Sequence, residues 1–286
     1  MSVWSNPMAG LSRGIRGKAG DCARTRAASF CRPIAYNEKL REMVKDESSH
    51  SFLVNPASQN TYLYQVEFVQ AFSEQYFQKP FPELKILDWG CGKGHVSFLL
   101  RERGTRVVSC DHFAEEGMDD DSAFGQRTPV IRKSGIQVDR LSDPVKLPYA
   151  DSRFDVALSF GVLEHVQRDL ESLKELRRVL RPGGLLFCFN LPYLVSWTQQ
   201  LSHLRGNYYH DRLYTKAQTT GLLTDAGYVL LDLWHRQLFP KNSVRYPFYR
   251  AFERLDQLLV RHTPLRYLAT NIEFVAVVED GPEGAA

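Results

Sequence analysis

Short apolar runs alternate with stretches of helical spacing along most of this chain. Tyr62, Val66, Phe68, Val69 and Phe72 recur at helical intervals and predict a helix that Ser58 would cap and that stops before Pro80 and Pro82. Residues 85–89 form an apolar run halted by Gly90 and predict a buried strand. Val96, Leu99 and Leu100 open a helix after Gly94 that closes by Gly104, and residues 105–111 predict a second strand. Residues 112–134 carry Gly117, Asp119–Asp121, Gly125 and Pro129 without a helical period, and read as a loop with at most a short helix. Residues 136–141 and 154–160 predict two more strands. A helix face of Leu170, Leu173, Leu176, Val179 and Leu180 follows, stopped by Arg181-Pro182-Gly183-Gly184. A strand at 185–191, a helix at 214–226 closed by Gly227, and strands at 228–234 and 271–278 complete the pattern. The last two strands are separated by an insert with a helical stretch at about 247–260. Strands alternating with helices predict a parallel α/β sheet covered on both faces. Order is expected from residue 57 to 279, preceded by a disordered extension and followed by a frayed tail at 280–286.

Composition changes the picture in three places. Over 286 residues, 36 Lys and Arg stand against 33 Asp and Glu, too balanced for nucleic acid to be the default partner. The five cysteines, Cys22, Cys31, Cys91, Cys110 and Cys188, have neither disulfide-framework nor zinc spacing, which predicts a reducing, cytoplasmic setting. Residues 1–36 carry six basic residues against Asp21 alone. They are expected to be a disordered tail; a start at Met43, or a mitochondrial transit peptide, are the alternatives.

The chemistry concentrates in Leu87-Asp88-Trp89-Gly90-Cys91-Gly92-Lys93-Gly94, a strand that ends in a glycine turn opening a helix. Such a turn lets a ligand approach the backbone, and helix-start N–H groups favour an anion. A dinucleotide fingerprint needs its third glycine at position 95; here His95 stands there and Gly94 comes one residue early. Asp111, ending the next strand, lies where an acid grasps ribose hydroxyls in either cofactor class.

The chain resembles the class I S-adenosylmethionine-dependent methyltransferases, in the small-molecule branch that includes quinone-biosynthesis enzymes. The likeness rests on four segments: 87–94, 143–149 (D-P-V-K-L-P-Y), 154–166 (F-D-V-A-L-S-F-G-V-L-E-H-V) and 180–184 (L-R-P-G-G). With the later helix, glycine and strand, it covers about residues 60–279. The resemblance implies a Rossmann-like, doubly wound seven-stranded sheet whose last strand is antiparallel, and S-adenosyl-L-methionine as cofactor. It implies that Gly90, Cys91 and Gly92 line the methionine moiety with Asp88 near its ammonium. Asp111 would hold the ribose, Asp143 would face the adenine amino group, and Phe160 would sit beside the cofactor. Two departures are visible: Pro144, with no N–H, follows the adenine acid, and residues 112–134 do not read as the helix the family places there.

An activated sulfonium methyl requires no covalent nucleophile, only an aligned acceptor, exclusion of water and a base for a hydroxyl proton. His165, after the fourth strand, is the first candidate, against a capping role; His210, in a lid at 192–214 with Tyr193, Trp197 and Tyr209, is the second. His95 is expected to pack or cap. Gly161 stands where metal-using relatives carry an acid, so no metal is expected, and Asp119–Asp121 read as a solvated loop. The insert at 236–268 holds seven basic residues against Glu253 and Asp256, interleaved with aromatics. A solvated basic face over core aromatics is the first expectation; peripheral membrane contact or an anionic acceptor is the second. The function expected is methylation of a small-molecule, lipid-linked or glycan acceptor, more readily at oxygen. A nicotinamide-dependent oxidoreductase and a non-catalytic binding subunit on the same fold are the alternatives.

Overall fold

A computed structural model describes residues 13–30, 37–46, 51–112, 129–206, 212–240 and 248–279. In chain order the elements are α1 (Arg13–Ser29), α2 (Glu38–Val44), α3 (Ser51–Val54), α4 (Pro56–Phe77), β1 (Ile86–Trp89), α5 (His95–Arg101), β2 (Val107–Asp111), α6 (Pro129–Ser134), β3 (Val138–Arg140), β4 (Phe154–Phe160), α7 (Asp169–Val179), β5 (Leu180–Pro192), α8 (Trp197–Leu204), α9 (Lys216–Asp225), β6 (Tyr228–Arg236), α10 (Tyr249–His262) and β7 (Asn271–Val278).

The strands form one sheet in the order β3-β2-β1-β4-β5-β7-β6. All neighbouring pairs are parallel except those of β7, which runs antiparallel to β5 and to β6. This is the doubly wound seven-stranded sheet with an antiparallel last strand. Consecutive strand residues point to opposite faces and feed two cores. Val156, Leu158, Phe187 and Phe189 join Phe68, Phe72 and Trp234 on the face covered by α4. Ala157, Leu186 and Cys188 join Leu173, Leu176 and Tyr228 on the face covered by α7 and α9. Each such fully buried large side chain contributes about 1.5–3 kcal/mol, so truncating Phe68, completely enclosed among Phe72, Phe187, Phe189 and Trp234, would cost about 3–5 kcal/mol.

Three local expectations are corrected. Helix α4 begins at Pro56, with the Asn55 side chain accepting from the Ala57 N–H; Ser58 is buried inside the helix. The proline at the first helical position has no N–H to lose, and its φ suits a helix. The L-R-P-G-G segment does not separate helix from strand. It is the beginning of β5, with Leu180 paired to Phe154. The chain before residue 57 is not an unstructured extension where it is described. Helix α1 packs on α4 and β6, with Cys22 fully buried. Arg26 bonds Asp232 at 2.8 Å and lies 4.5 Å over the Trp234 ring. Its basic residues hid this role, because α1 has almost no apolar stripe and is held by ion-pair and cation–π contacts. The short helix α6 falls within the stretch expected to be a loop; residues 113–128, with Asp119–Asp121, lie outside the described residues.

The insert is also corrected. Among the described residues its aromatics do not fill the core: Phe248 is 74% exposed, Tyr267 53% and Phe252 36%, while the acids Glu253 and Asp256 are buried. Helix α10 therefore turns Glu253 and Asp256 inward and leaves Leu255 and Leu258 exposed. Among the described residues no helix is long and apolar enough to cross a membrane, and Cys22, Cys91, Cys110 and Cys188 are buried free thiols.

Candidate active site

Register brings the predicted site together. Trp89 pairs with Cys110 on one side and with Ser159 on the other. The next residue of each segment, Gly90, Asp111 and Phe160, therefore reaches the same edge of the sheet. The N–H groups of Gly90 and Cys91 both donate to the Cys110 carbonyl, at 2.9 and 3.0 Å, which bends the chain across the end of β2. The Gly92 N–H then donates to Asp111 Oδ2 at 2.5 Å.

The three glycines are required for different reasons. All have positive φ, which side chains rarely adopt. A Cβ at Gly90 would lie 2.5 Å from Val162, and one at Gly94 would lie 2.4 Å from Ile131. Gly92 is exposed, and a Cβ there would meet nothing nearer than the Gly90 carbonyl at 4.0 Å. Two glycines thus fit the loop to the protein, while the middle one faces open space. Gly94 is used against α6, which explains its position one residue short of a dinucleotide fingerprint.

Behind the loop, Asp88 is buried and accepts from Ser97 Oγ at 2.5 Å; Ser97 also meets Ser109 Oγ at 2.8 Å. Burial pushes the Asp88 carboxyl up to about 7, with the Ser97 hydrogen bond opposing. Burial also raises Asp111, against the pull of the Gly92 and His112 N–H groups. The Cys91 thiol is raised by burial and held in a packing position.

Asp143 lies further along the same edge, since Leu141 N–H donates to the Asp111 carbonyl. Its Oδ1 accepts from Val145 and Lys146 N–H, both at 2.8 Å, and these bonds hold its carboxyl below the usual range. One oxygen is therefore used to make its own turn, and Pro144 can sit in that turn because the N–H groups used come after it. Phe160 packs at 4.7 Å on Phe189 and reaches Tyr62 of α4 at 6.5 Å.

His165 is half exposed, its backbone N–H donates to the Val162 carbonyl, and its Nε2 lies 4.0 Å from Glu164 Oε1. Glu164 is 2% exposed, and burial pushes its carboxyl up to about 7. His210 lies outside the described residues, as does Tyr209. His95 packs edge-on against Tyr62 at 4.4 Å and Phe52 at 5.5 Å, beside the loop.

Two contributions escape a motif-by-motif inspection. Glu164 was visible as the acid beside His165, but only its burial at the end of β4 distinguishes it from a surface acid. The aromatic cover of Phe52 and Tyr62 comes from α3 and α4, and nothing in their spacing shows which side chain meets the glycine loop.

Residues 87–188 match the family model described as a methyltransferase domain. The chain is 37% identical over 117 residues to a ubiquinone biosynthesis O-methyltransferase of Cereibacter sphaeroides, covering 39% of this chain and 43% of that protein. It is 30% identical over 172 residues to a protein of the same name from Dinoroseobacter shibae, covering 54% and 63%. These matches span about half the length of the curated relatives. A solved SAM-dependent methyltransferase of Thermotoga maritima aligns with TM-score 0.53 at 15% identity, covering 85% of this chain and all of that one, a likeness of fold. Residues 87–188 thus match a methyltransferase domain model, and this part of the chain is similar to ubiquinone biosynthesis O-methyltransferases.

Proposed function

We propose that this protein transfers a methyl group from S-adenosylmethionine to an oxygen of a small-molecule or lipid-linked acceptor. The observation that carries this is the open face of Gly92, whose N–H donates to Asp111 at the sheet edge that Gly90 and Phe160 also reach. The residues fit an adenosyl amino acid. Asp111 would hold the ribose hydroxyls, Gly90, Cys91 and Gly92 the methionine chain, and Asp88 the region of its ammonium. Asp143 Oδ2 would face the adenine amino group and Phe160 would close one side. The bound cofactor supplies an activated methyl on a sulfonium. The protein positions the acceptor oxygen in line, and Tyr62 and Phe52, packed on His95 beside the loop, supply an aromatic wall on that side.

His165 removes the acceptor proton. Its half-exposed imidazole is open to an acceptor, and the Glu164 carboxyl lies 4.0 Å from its Nε2, where a carboxylate would favour the imidazolium that forms. His210 is the second candidate for this task. The relatives' role in ubiquinone biosynthesis supports a quinone-like, lipid-linked acceptor, and the exposed Phe248, Leu255 and Leu258 support peripheral contact with the lipid that carries it. The buried free thiols support a cytoplasmic setting.

Calorimetry with S-adenosylhomocysteine and with NADH tests the reading. Saturable binding of the former alone is expected; binding of NADH alone would overturn it. Incubating fractionated extract with labelled-methyl cofactor then identifies the acceptor.

A further inference from the structure

A cavity of about 800 Å³ lies at the opposite end of the same sheet edge, enclosed by α1, the start of α4, the end of β6 and α10. That volume is in the range of small-molecule sites. Helix α4 stands between it and the glycine loop. Asn60 and Tyr64 line the cavity. Tyr62, about 200° around the helix from each, meets His95 and Phe160 on the cofactor side.

The cavity is built for negative charge. Seven of its lining residues are Lys or Arg, and two, Glu253 and Asp256, are acidic. Both acids hold structure: Glu253 Oε2 accepts from Asn60 Nδ2 at 2.6 Å, and Asp256 Oδ1 accepts from Leu238 and Phe239 N–H at 2.7 and 2.8 Å. Arg26 is matched by Asp232. Arg236 is different. It is 5% exposed, its guanidinium lies 4.2 Å over the Phe30 ring, and its buried Nε and Nη2 have no hydrogen-bond acceptor among the described residues. The carboxylate that feels its charge, Glu273, is occupied by Gln65 at 2.6 Å and Trp234 at 2.9 Å. His235, 6% exposed, likewise has neither ring nitrogen bonded among the described residues. A buried guanidinium with two unmet donors carries a large desolvation cost unless an anion reaches it. Burial and mutual repulsion agree with this concentration of positive potential. Lys216 is lowered to about 8 by burial and by Arg266 and Arg26, with Asp232 opposing; His235 is lowered to about 3 by burial, Lys216 and Arg266.

We propose that this cavity is a second ligand site, distinct from the cofactor loop, that takes a phosphate or diphosphate group through Arg236, with Lys216 and Arg266 contributing charge. A forked guanidinium suits two phosphate oxygens. Phe30, Tyr64 and Trp234 supply apolar walls, so the natural ligand carries an apolar or aromatic portion beside its phosphate. A lipid headgroup and a water-soluble phosphate ester share this chemistry.

The test titrates the full chain with inorganic pyrophosphate by calorimetry. One saturable site is expected, weakened at least about tenfold in Arg236→Gln and measurably in Arg266→Ser, with S-adenosylhomocysteine affinity unchanged in both. Arg266 is exposed, so its variant keeps the test valid if Arg236→Gln does not fold. Flotation on vesicles containing phosphatidic acid, competed by pyrophosphate and absent on phosphatidylcholine alone, assigns the site to a lipid headgroup. Pyrophosphate binding without flotation assigns it to a soluble ester. Absence of saturable binding to either probe, or equal binding by wild type and both variants, would overturn the proposal. S-adenosylhomocysteine affinity, measured separately, reports on the cofactor loop alone.

Discussion

The two ends of one sheet edge solve opposite electrostatic problems. At the β1–β2 end the enclosed groups are acids, and the loop and the helix that follows it supply their partners: Ser97 of α5 serves Asp88, and the Gly92 N–H serves Asp111. At the β6 end the buried acids Glu253, Asp256 and Glu273 accept hydrogen bonds, whereas Arg236 Nε and Nη2 and both His235 ring nitrogens have no hydrogen-bond partner among the described residues. The first end is built from residues close in sequence. The second gathers side chains from α1, α4, β6 and α10, far apart in the chain. A contiguous loop can satisfy its own polar groups, whereas a cavity assembled from distant elements leaves some for a ligand to satisfy.

The largest effect expected separates chemistry from binding at the first end. His165→Ala should lower turnover by about 10²–10⁴-fold with cofactor affinity nearly unchanged, because the imidazole is half exposed and would face the acceptor. Near-normal turnover with lost thermal stability would give His165 a packing role, and loss of turnover in His210→Ala instead would move the base to the lid.

The next effect is the sign of pH dependence at the two ends. Folded Asp88 keeps its proton to about 7, above the 3.8 of a free carboxyl, so between those values the folded state binds more protons. Stability of the ligand-free protein therefore falls from about pH 4 to about pH 7 on account of this group and is flat above. His235 has the reverse sign: lowered from 6.5 to about 3, it makes the unfolded state bind more protons in that window, so stability rises with pH there. In urea titrations at pH 5 and 7.5, Asp88→Asn should improve stability at the higher pH by about 2 kcal/mol relative to the lower, while His235→Phe should reduce the loss at acid pH. Identical pH slopes for wild type and both variants would erase the contrast.

Asp111→Ala comes third, weakening S-adenosylhomocysteine binding by about 1.5–3 kcal/mol, the usual loss for hydrogen bonds to a charged group, with the fold retained. The same variant should leave pyrophosphate binding untouched if α4 truly separates the ends. Unchanged S-adenosylhomocysteine affinity would remove Asp111 from the ribose role.

How much was legible follows the same division. Asp88, Gly90, Gly92 and Asp111 could be picked out because strand, glycine turn and strand-end acid lie within 24 residues and their order fixes their meeting point. The seven strands and the antiparallel last one were legible from apolar runs and a family pattern. Helix α1 was not, because its residues are held by Arg26 and Cys22 rather than by an apolar stripe. Nor was the inverted α10, since alternating acids and apolar residues on a helix read the same whichever face is turned inward. Only the contacts of Glu253 with Asn60, and of Asp256 with the end of β6, decide that orientation.

The smallest expected effect tests that inversion. Leu258, 58% exposed at the rim of the cavity, and Leu255, 44% exposed, bury little of their side chains on α10. Removing a side chain that buries little area in the free protein costs little, so Leu258→Ser should change unfolding free energy by less than about 0.5 kcal/mol. Asp256→Ala, which strips an acceptor from two backbone N–H groups at the end of β6, should cost about 1–3 kcal/mol by leaving those donors unsatisfied. A leucine on an ordinary amphipathic helix and an acid on its wet face would give the opposite ranking. Urea denaturation of the two variants measures it directly. A Leu258→Ser loss larger than that of Asp256→Ala would mean that Leu258 is covered in solution and that the acids of α10 are not its anchors.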